Sequence, residues 1–225
     1  MSKTPLRLAL FDCDGTLVDS VFAIQDAMIK VFRKFSYTEP SLDDIREVIG
    51  LSLDRAIAFL LKRPVDDEVR EMVTEYKRIF SKIVTDVSSA EPLFPGILDV
   101  LTELEKNDDV LLGVVTGKSR LGIDRICEAY KLHCFITIKT ADDCPSKPNP
   151  AMVIESCKKT GVFPENTYVI GDSIYDMQMA KLAHAKAVGV SWGYHTPEAL
   201  TEAGADFIVR VPNDLIELLS ANDHA

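Results

Sequence analysis

Apolar positions along the chain follow two alternating patterns. Short continuous runs occur at 6–11 (LRLALF), 110–116 (VLLGVVT), 134–140 (CFITIKT), 167–172 (TYVIGD) and 185–191 (AKAVGVS). Because these runs do not alternate apolar with polar, they predict strands covered on both faces, the condition of a parallel sheet. A weaker run, ADFIVR at 205–210, predicts a sixth strand. Between the runs, apolar residues recur at helical spacing over 96–106, 119–130, 149–160, 173–183 and 212–220. Strand and helix in strict alternation predict an α/β fold built on a doubly wound, mainly parallel sheet.

One stretch breaks the rhythm. From Ser20 to about Ala90 no strand pattern is present, only helical ones at 20–34, 41–49, 52–62 and 66–84. EPSLDD at 39–44, with a possible helix cap, and RPVDDE at 63–68 separate them. A single strand-to-helix connection is normally a handful of residues, so a segment this long predicts an all-helical module inserted after the first strand. Phe22, Met28, Phe32, Phe59, Leu60, Tyr76 and Phe80 fit the apolar stripes of its core. EPLFPG at 91–96, with two prolines, returns the chain stiffly to the sheet.

Composition narrows the partners. The chain has 225 residues, enough for one large domain or for a core plus a module, with ordinary globular values of 47% hydrophobic and 27% charged. The net charge of −10 repels nucleic acid and anionic lipid, so neither is an expected partner. An anionic substrate would need a local cation or a bound metal. Five cysteines, an odd number with no CxxC, read as reduced thiols. The first apolar run breaks on an aspartate after a few residues, unlike a signal peptide, and no run approaches the roughly 20 residues that span a membrane. A cytoplasmic protein is expected.

In open α/β sheets ligands bind beyond the carboxyl ends of the strands. After the first strand come Asp12, Cys13, Asp14 and Gly15. In extended chain the two acids would share one side and Cys13 would face the other. Alone, the pair reads equally as solvated turn acids. The second strand ends VVTGK, where Thr116 offers a hydroxyl and Gly117 admits a close ligand, ahead of a helix N-terminus that suits an anion; a plain N-cap threonine is the other reading. SKPNP follows the third strand, and Pro148 holds Lys147 extended, with Asn149 and Pro150 starting a helix. After the fourth strand, Asp172 stands at a helix entrance and Asp176 one turn on, the same face. Two acids there can complement the helix dipole. Facing Asp12 and Asp14, they would form a four-carboxylate cluster that requires a divalent cation, and all-oxygen ligands point to Mg²⁺. Acid pair, hydroxyl, lysine and acid pair in succession describe a phosphate-plus-magnesium site.

In this order FDCDGTLVDS, VVTGK, SKPNP and VIGDSIYD resemble the four motifs of the haloacid dehalogenase superfamily, in its phosphatase branch. The helical insert resembles that family's C1 cap, and DGTLVDS, REVIGLSL and the tail from WGYHTPEAL resemble the phosphoglycolate phosphatase-like subgroup. The resemblance implies a Rossmann-like core of residues 1–17 and 91–225 with a cap at 18–90. It further implies a Mg²⁺-dependent hydrolase of a small phosphorylated metabolite; a monomer or homodimer is expected. Asp12 would be the nucleophile that becomes an aspartyl phosphate, and Asp14 the proton donor and acceptor. Thr116, Gly117 and Lys147 would hold the phosphoryl oxygens, while Asp12, the carbonyl of Asp14, Asp172 and Asp176 would serve the metal. Dehalogenases and phosphonatases lack the second acid of the first motif, so Asp14 argues against both. A phosphomutase or pyrophosphatase on the same scaffold, and more remotely a phospho-receiver, are the alternatives. Arg46, in IREVIGLS, is expected either to meet a second anion of the substrate or to be a solvated helix residue; Gly50, Leu51 and Ser52 are expected to loop over the site.

Overall fold

A computed structural model describes residues 5–84 and 91–220. Residues 1–4, 85–90 and 221–225 lie outside it. Strand β1 (Arg7–Phe11) is followed by four helices, α1 (Val21–Lys34), α2 (Leu42–Val48), α3 (Leu53–Leu60) and α4 (Asp67–Ile83). The chain then runs through α5 (Ile97–Leu104), β2 (Val110–Val115), α6 (Arg120–Tyr130), β3 (Phe135–Lys139) and α7 (Ala151–Thr160). It ends with β4 (Thr167–Gly171), α8 (Ile174–Leu182), β5 (Lys186–Val190), α9 (Pro197–Glu202), β6 (Phe207–Val209) and α10 (Asp214–Ser220).

The six strands form one sheet in the order β3-β2-β1-β4-β5-β6, every pair parallel. All five residues of β1 are buried. Its side chains alternate between two cores: Ala9 and Phe11 pack with Leu101 and Ile126, while Leu8 and Leu10 pack with Met152 and Met177. Helices on both faces thus explain why the strand runs are continuous. The strand order reverses between β1 and β4, and there Phe11 pairs with Ile170 on one side and Val114 on the other. The residues just after β1, β2 and β4 are therefore neighbours, at the point where open sheets bind ligands.

The four inserted helices carry an apolar cluster of their own that includes Met28, Phe32, Ile57 and Met72. Ser41 starts α2 with a reciprocal capping box to Asp44, and the Asp66 side chain caps α4. The crossings between insert and sheet run side by side: Val18 bridges Leu93, Asp19 N donates to Pro92 O and Phe94 N donates to Leu17 O.

Several expectations need correction. Phe22 and Phe59 are 68% and 47% exposed, so the aromatic stripes are narrower than the sequence pattern predicts. Helix α9 falls in a stretch not predicted helical; with only six residues, started by Thr196 and Pro197, it offers too little apolar periodicity to detect. Pro150 stands at the N-cap of α7 rather than inside it, and Asn149 accepts a hydrogen bond from the amide of Ala151.

Candidate active site

Asp12 follows β1 directly, its amide donating to Ile170 O, and its side chain is 1% exposed. Lys147 arrives from the loop before α7 and is equally buried, not at a solvated rim. Its Nζ lies 2.8 Å from Asp12 Oδ1 and donates to Asp176 Oδ1 at 2.6 Å. Asp172 comes from the turn after β4 and Asp176 from the first turn of α8, which Ser173 caps in a second capping box with Asp176. Asp172 Oδ1 accepts from the Thr16 hydroxyl at 2.9 Å and Oδ2 from the Tyr194 amide at 2.9 Å. Gly15 makes this approach feasible: its φ is +84°, and a Cβ there would lie 2.2 Å from Asp172 Oδ2.

Charge in this pocket is unbalanced. One oxygen each from Asp12, Asp172 and Asp176 lies within 4.8 Å of the others, and a single ammonium, Lys147, stands among the three buried carboxylates. Burial lifts the Asp12 carboxyl to about 7, with Asp176 and Asp14 adding to the rise against the pull of Lys147. Burial, then Asp12 and Asp176, hold Asp172 well above the usual carboxylate range. Burial opposes the charge on Lys147, but Asp12 and Asp176 outweigh it and raise its affinity for the proton. Asp12 Oδ2 is buried without a hydrogen-bond donor. An orphaned carboxylate oxygen beside two further carboxylates is a donor set that fits a hard divalent cation.

Asp14 departs from the four-carboxylate expectation. The chain is not extended past β1: Cys13 O accepts from the amides of Leu17 and Val18, and the turn swings Asp14 away from the other acids. Its Oδ1 accepts from Lys118 Nζ at 2.8 Å and from Ser20 Oγ at 2.6 Å. Its carboxylate is not part of the three-acid group. Cys13 is fully buried in the sheet core, and burial pushes its thiol well above the range in which it would act as a nucleophile.

Thr116 and Gly117 line the same cavity as Asp12 and Asp14. Thr116 Oγ1 accepts from the Lys118 amide, so its hydroxyl is fixed at the strand end. The loop of Gly50, Leu51 and Ser52 lies directly over them: a Cβ on Gly117 would meet Leu51 O at 2.5 Å. Ser52 N donates to Ser146 Oγ at 2.8 Å, tying that loop to the segment that carries Lys147. Arg46 is not part of this cavity. It sits on the outer side of α2, 41% exposed, with Nη1 3.3 Å from Asp43 Oδ1. Arg46 here takes the position of a solvated helix residue, because the α2 face turned inward is that of Ile45 and Val48.

Three further residues join the site. Lys118, 7% exposed, bridges Asp14 and Glu91, with Nζ 2.8 Å from Glu91 Oε1. Glu91 is 1% exposed and belongs to the return crossing from the insert. Tyr194 accepts at its hydroxyl from the amides of Ser20 and Val21 and donates to Asp19 Oδ1, binding the first crossing to the loop beyond β5. Lysine after Gly117 and tyrosine in WGYHTPE were visible in the sequence, but their partners, tens to more than a hundred residues away, were not.

The haloacid dehalogenase-like hydrolase family model matches residues 9–190, which include every strand-end residue described above except Tyr194. A protein of Dickeya dadantii named "Probable phosphatase IndB" is 32% identical over 93% of this chain and 91% of its own. A phosphoglycolate phosphatase of Escherichia coli K12 is 28% identical over 95% of this chain and 92% of its own. Among solved structures, a hydrolase from Pseudomonas syringae superposes with a TM-score of 0.83 at 26% identity, covering 96% of this chain and 98% of the other. The buried acids and lysine at adjoining strand ends and these relatives agree: the chain belongs to the haloacid dehalogenase-like hydrolase family and is an enzyme of its phosphatase branch.

Proposed function

We propose that the protein is a Mg²⁺-dependent phosphomonoester hydrolase that acts on a small phosphorylated metabolite through a phosphorylated Asp12. The observation that carries this reading is Asp12 itself: a fully buried carboxylate with an unpartnered oxygen, facing the cavity beside Thr116. An Asp12 oxygen attacks phosphorus, an Asp–O–P bond forms, and the ester O–P bond breaks. Asp14 gives the departing alkoxide its proton, then takes one from the water that hydrolyses the acyl phosphate, which restores Asp12. Lys147 and the Thr116 hydroxyl hold the phosphoryl oxygens and oppose the charge that develops on them. Asp12, Asp172 and Asp176 would hold the metal, with the Asp14 carbonyl as a further ligand. The cation, when bound, neutralises phosphoryl charge and lets the carboxylates stand together.

In this reading residues 18–90 act as a cap, and the paired crossings at Val18 and Leu93 are its hinge. Closure excludes bulk water while the acyl phosphate exists. Purified protein assayed on p-nitrophenyl phosphate tests the proposal. Phosphate release that needs Mg²⁺, stops with EDTA and vanishes in folded Asp12→Asn is expected. Full activity in chelator would overturn the metal assignment, and substantial turnover by Asp12→Asn the nucleophile.

A further inference from the structure

Between the inserted helices and the strand ends lies a cavity of about 480 Å³. That is a volume for a drug-sized ligand and far exceeds what a phosphate on a two-carbon acid would fill. Its two ends differ in chemistry. At the floor are Asp12, Asp14, Thr116 and Lys118. The helices above contribute Ile24, Met28, Leu53, Val73, Tyr76 and Phe80. The Tyr76 and Phe80 rings stack 5.5 Å apart, 14° from parallel, and Lys118 Nζ lies 5.4 Å from the Phe80 centroid.

Charge at the floor of the cavity works against a second anion. Lys118, the cation beside the floor, already carries both Asp14 and Glu91, so this trio is net negative. Asp54 adds a further acid to the lining, and Arg46, the cation looked for on the cap, lies outside. The remaining cations of the lining are Arg125, half-buried on α6, and Lys77, on an exposed position of α4. A carboxylate held two carbons from phosphorus would compete with Asp14 and Glu91 for Lys118. Pyrophosphate and doubly phosphorylated sugars meet the same opposition near the floor.

We infer that the substrate is a monophosphate whose alcohol carries a bulky apolar body, aromatic or branched aliphatic, seated against α1 and α4. This rests on the phosphomonoesterase reading and names its substrate class. The apolar walls remove the body from water, while the single charged end goes to Asp12 and Lys147.

The test compares 2-phenylethyl phosphate with phosphoglycolate, both esters of unactivated alcohols, in kcat/KM with Mg²⁺ present. At least tenfold preference for the phenylethyl ester is expected. Val73→Asp, with Ile24→Asn as a second variant should the first not fold, is expected to reduce that ratio at least tenfold while circular dichroism stays native. Equal or better use of phosphoglycolate would overturn the inference and leave the phosphatase reading standing. A ratio unmoved in both folded variants would overturn the seat of the apolar body. No phosphate release from either ester or from p-nitrophenyl phosphate would bring down the phosphatase reading itself.

Discussion

Removing the Lys118 ammonium should be one of the most damaging single changes outside the hydrophobic cores. Lys118 is 7% exposed and lies 2.8 Å from both Asp14 Oδ1 and Glu91 Oε1, whose side chains are 13% and 1% exposed. Burial opposes its charge, yet Asp14 and Glu91 raise its proton affinity well above the usual lysine range, so it stays an ammonium at any ordinary pH. In Lys118→Met the stem is replaced by a chain of similar shape, and the buried Glu91 carboxyl loses its ammonium partner. Breaking a buried pair from one side costs about 3–5 kcal/mol. At about 2–4 °C per kcal/mol for a chain of this size, the melting temperature should fall by about 6–20 °C. The stranded charge, not the lost contact, is the cause, so Glu91→Gln added to Lys118→Met should recover part of the loss. Urea titrations followed by circular dichroism on the four proteins of this cycle give the coupling directly. Lys118→Met within about 1 kcal/mol of the parent, or a double variant no more stable than Lys118→Met, would refute the reasoning.

Other consequences can be read from the same site. The folded carboxyl of Asp12, lifted to about 7, lies above its unfolded value near 3.9, so the metal-free folded state holds the proton more tightly between those limits. Its contribution is full below about pH 4 and is lost as pH rises through about 7; the metal-free melting temperature should decline across that window, and Asp12→Asn should lack that component of the decline. Gly117→Ala would press a methyl against the carbonyls of Leu51 and Gly50, lift the 50–52 loop and lower kcat/KM by about 10–100-fold with little change in melting temperature. Arg46→Ala should leave kcat/KM within about twofold of the parent on any substrate, because its partner is the exposed Asp43; a larger loss would return Arg46 to the cavity.

The sheet was readable because burial on both faces demands uninterrupted apolar runs, and β1 with five buried residues is the plainest case. Asp12, Thr116 and Asp172 were readable because each directly follows a strand, and Lys147 because Pro148 and the helix start beyond it mark its loop, positions that local rules identify. What local rules miss is direction and distant pairing. Asp14 was expected beside Asp12 on the premise of an extended chain, but the turn closed by Cys13 O redirects it to Lys118. Arg46 lay in an amphipathic segment whose inward face only packing decides. Glu91 and Tyr194 act through tertiary contacts alone, and no periodicity or capping pattern marks such residues.

The most direct trial of the chemistry is to trap the phosphorylated enzyme. Protein mixed with a phosphomonoester and Mg²⁺, quenched in acid within the first turnover and digested, should yield the peptide containing Asp12 heavier by one phosphoryl group, labile to base. Asp12→Asn should yield none. Phosphate released in the burst with no phosphorylated peptide, or a phosphoryl group recovered on any other residue, would contradict Asp12 as the group that takes the phosphate.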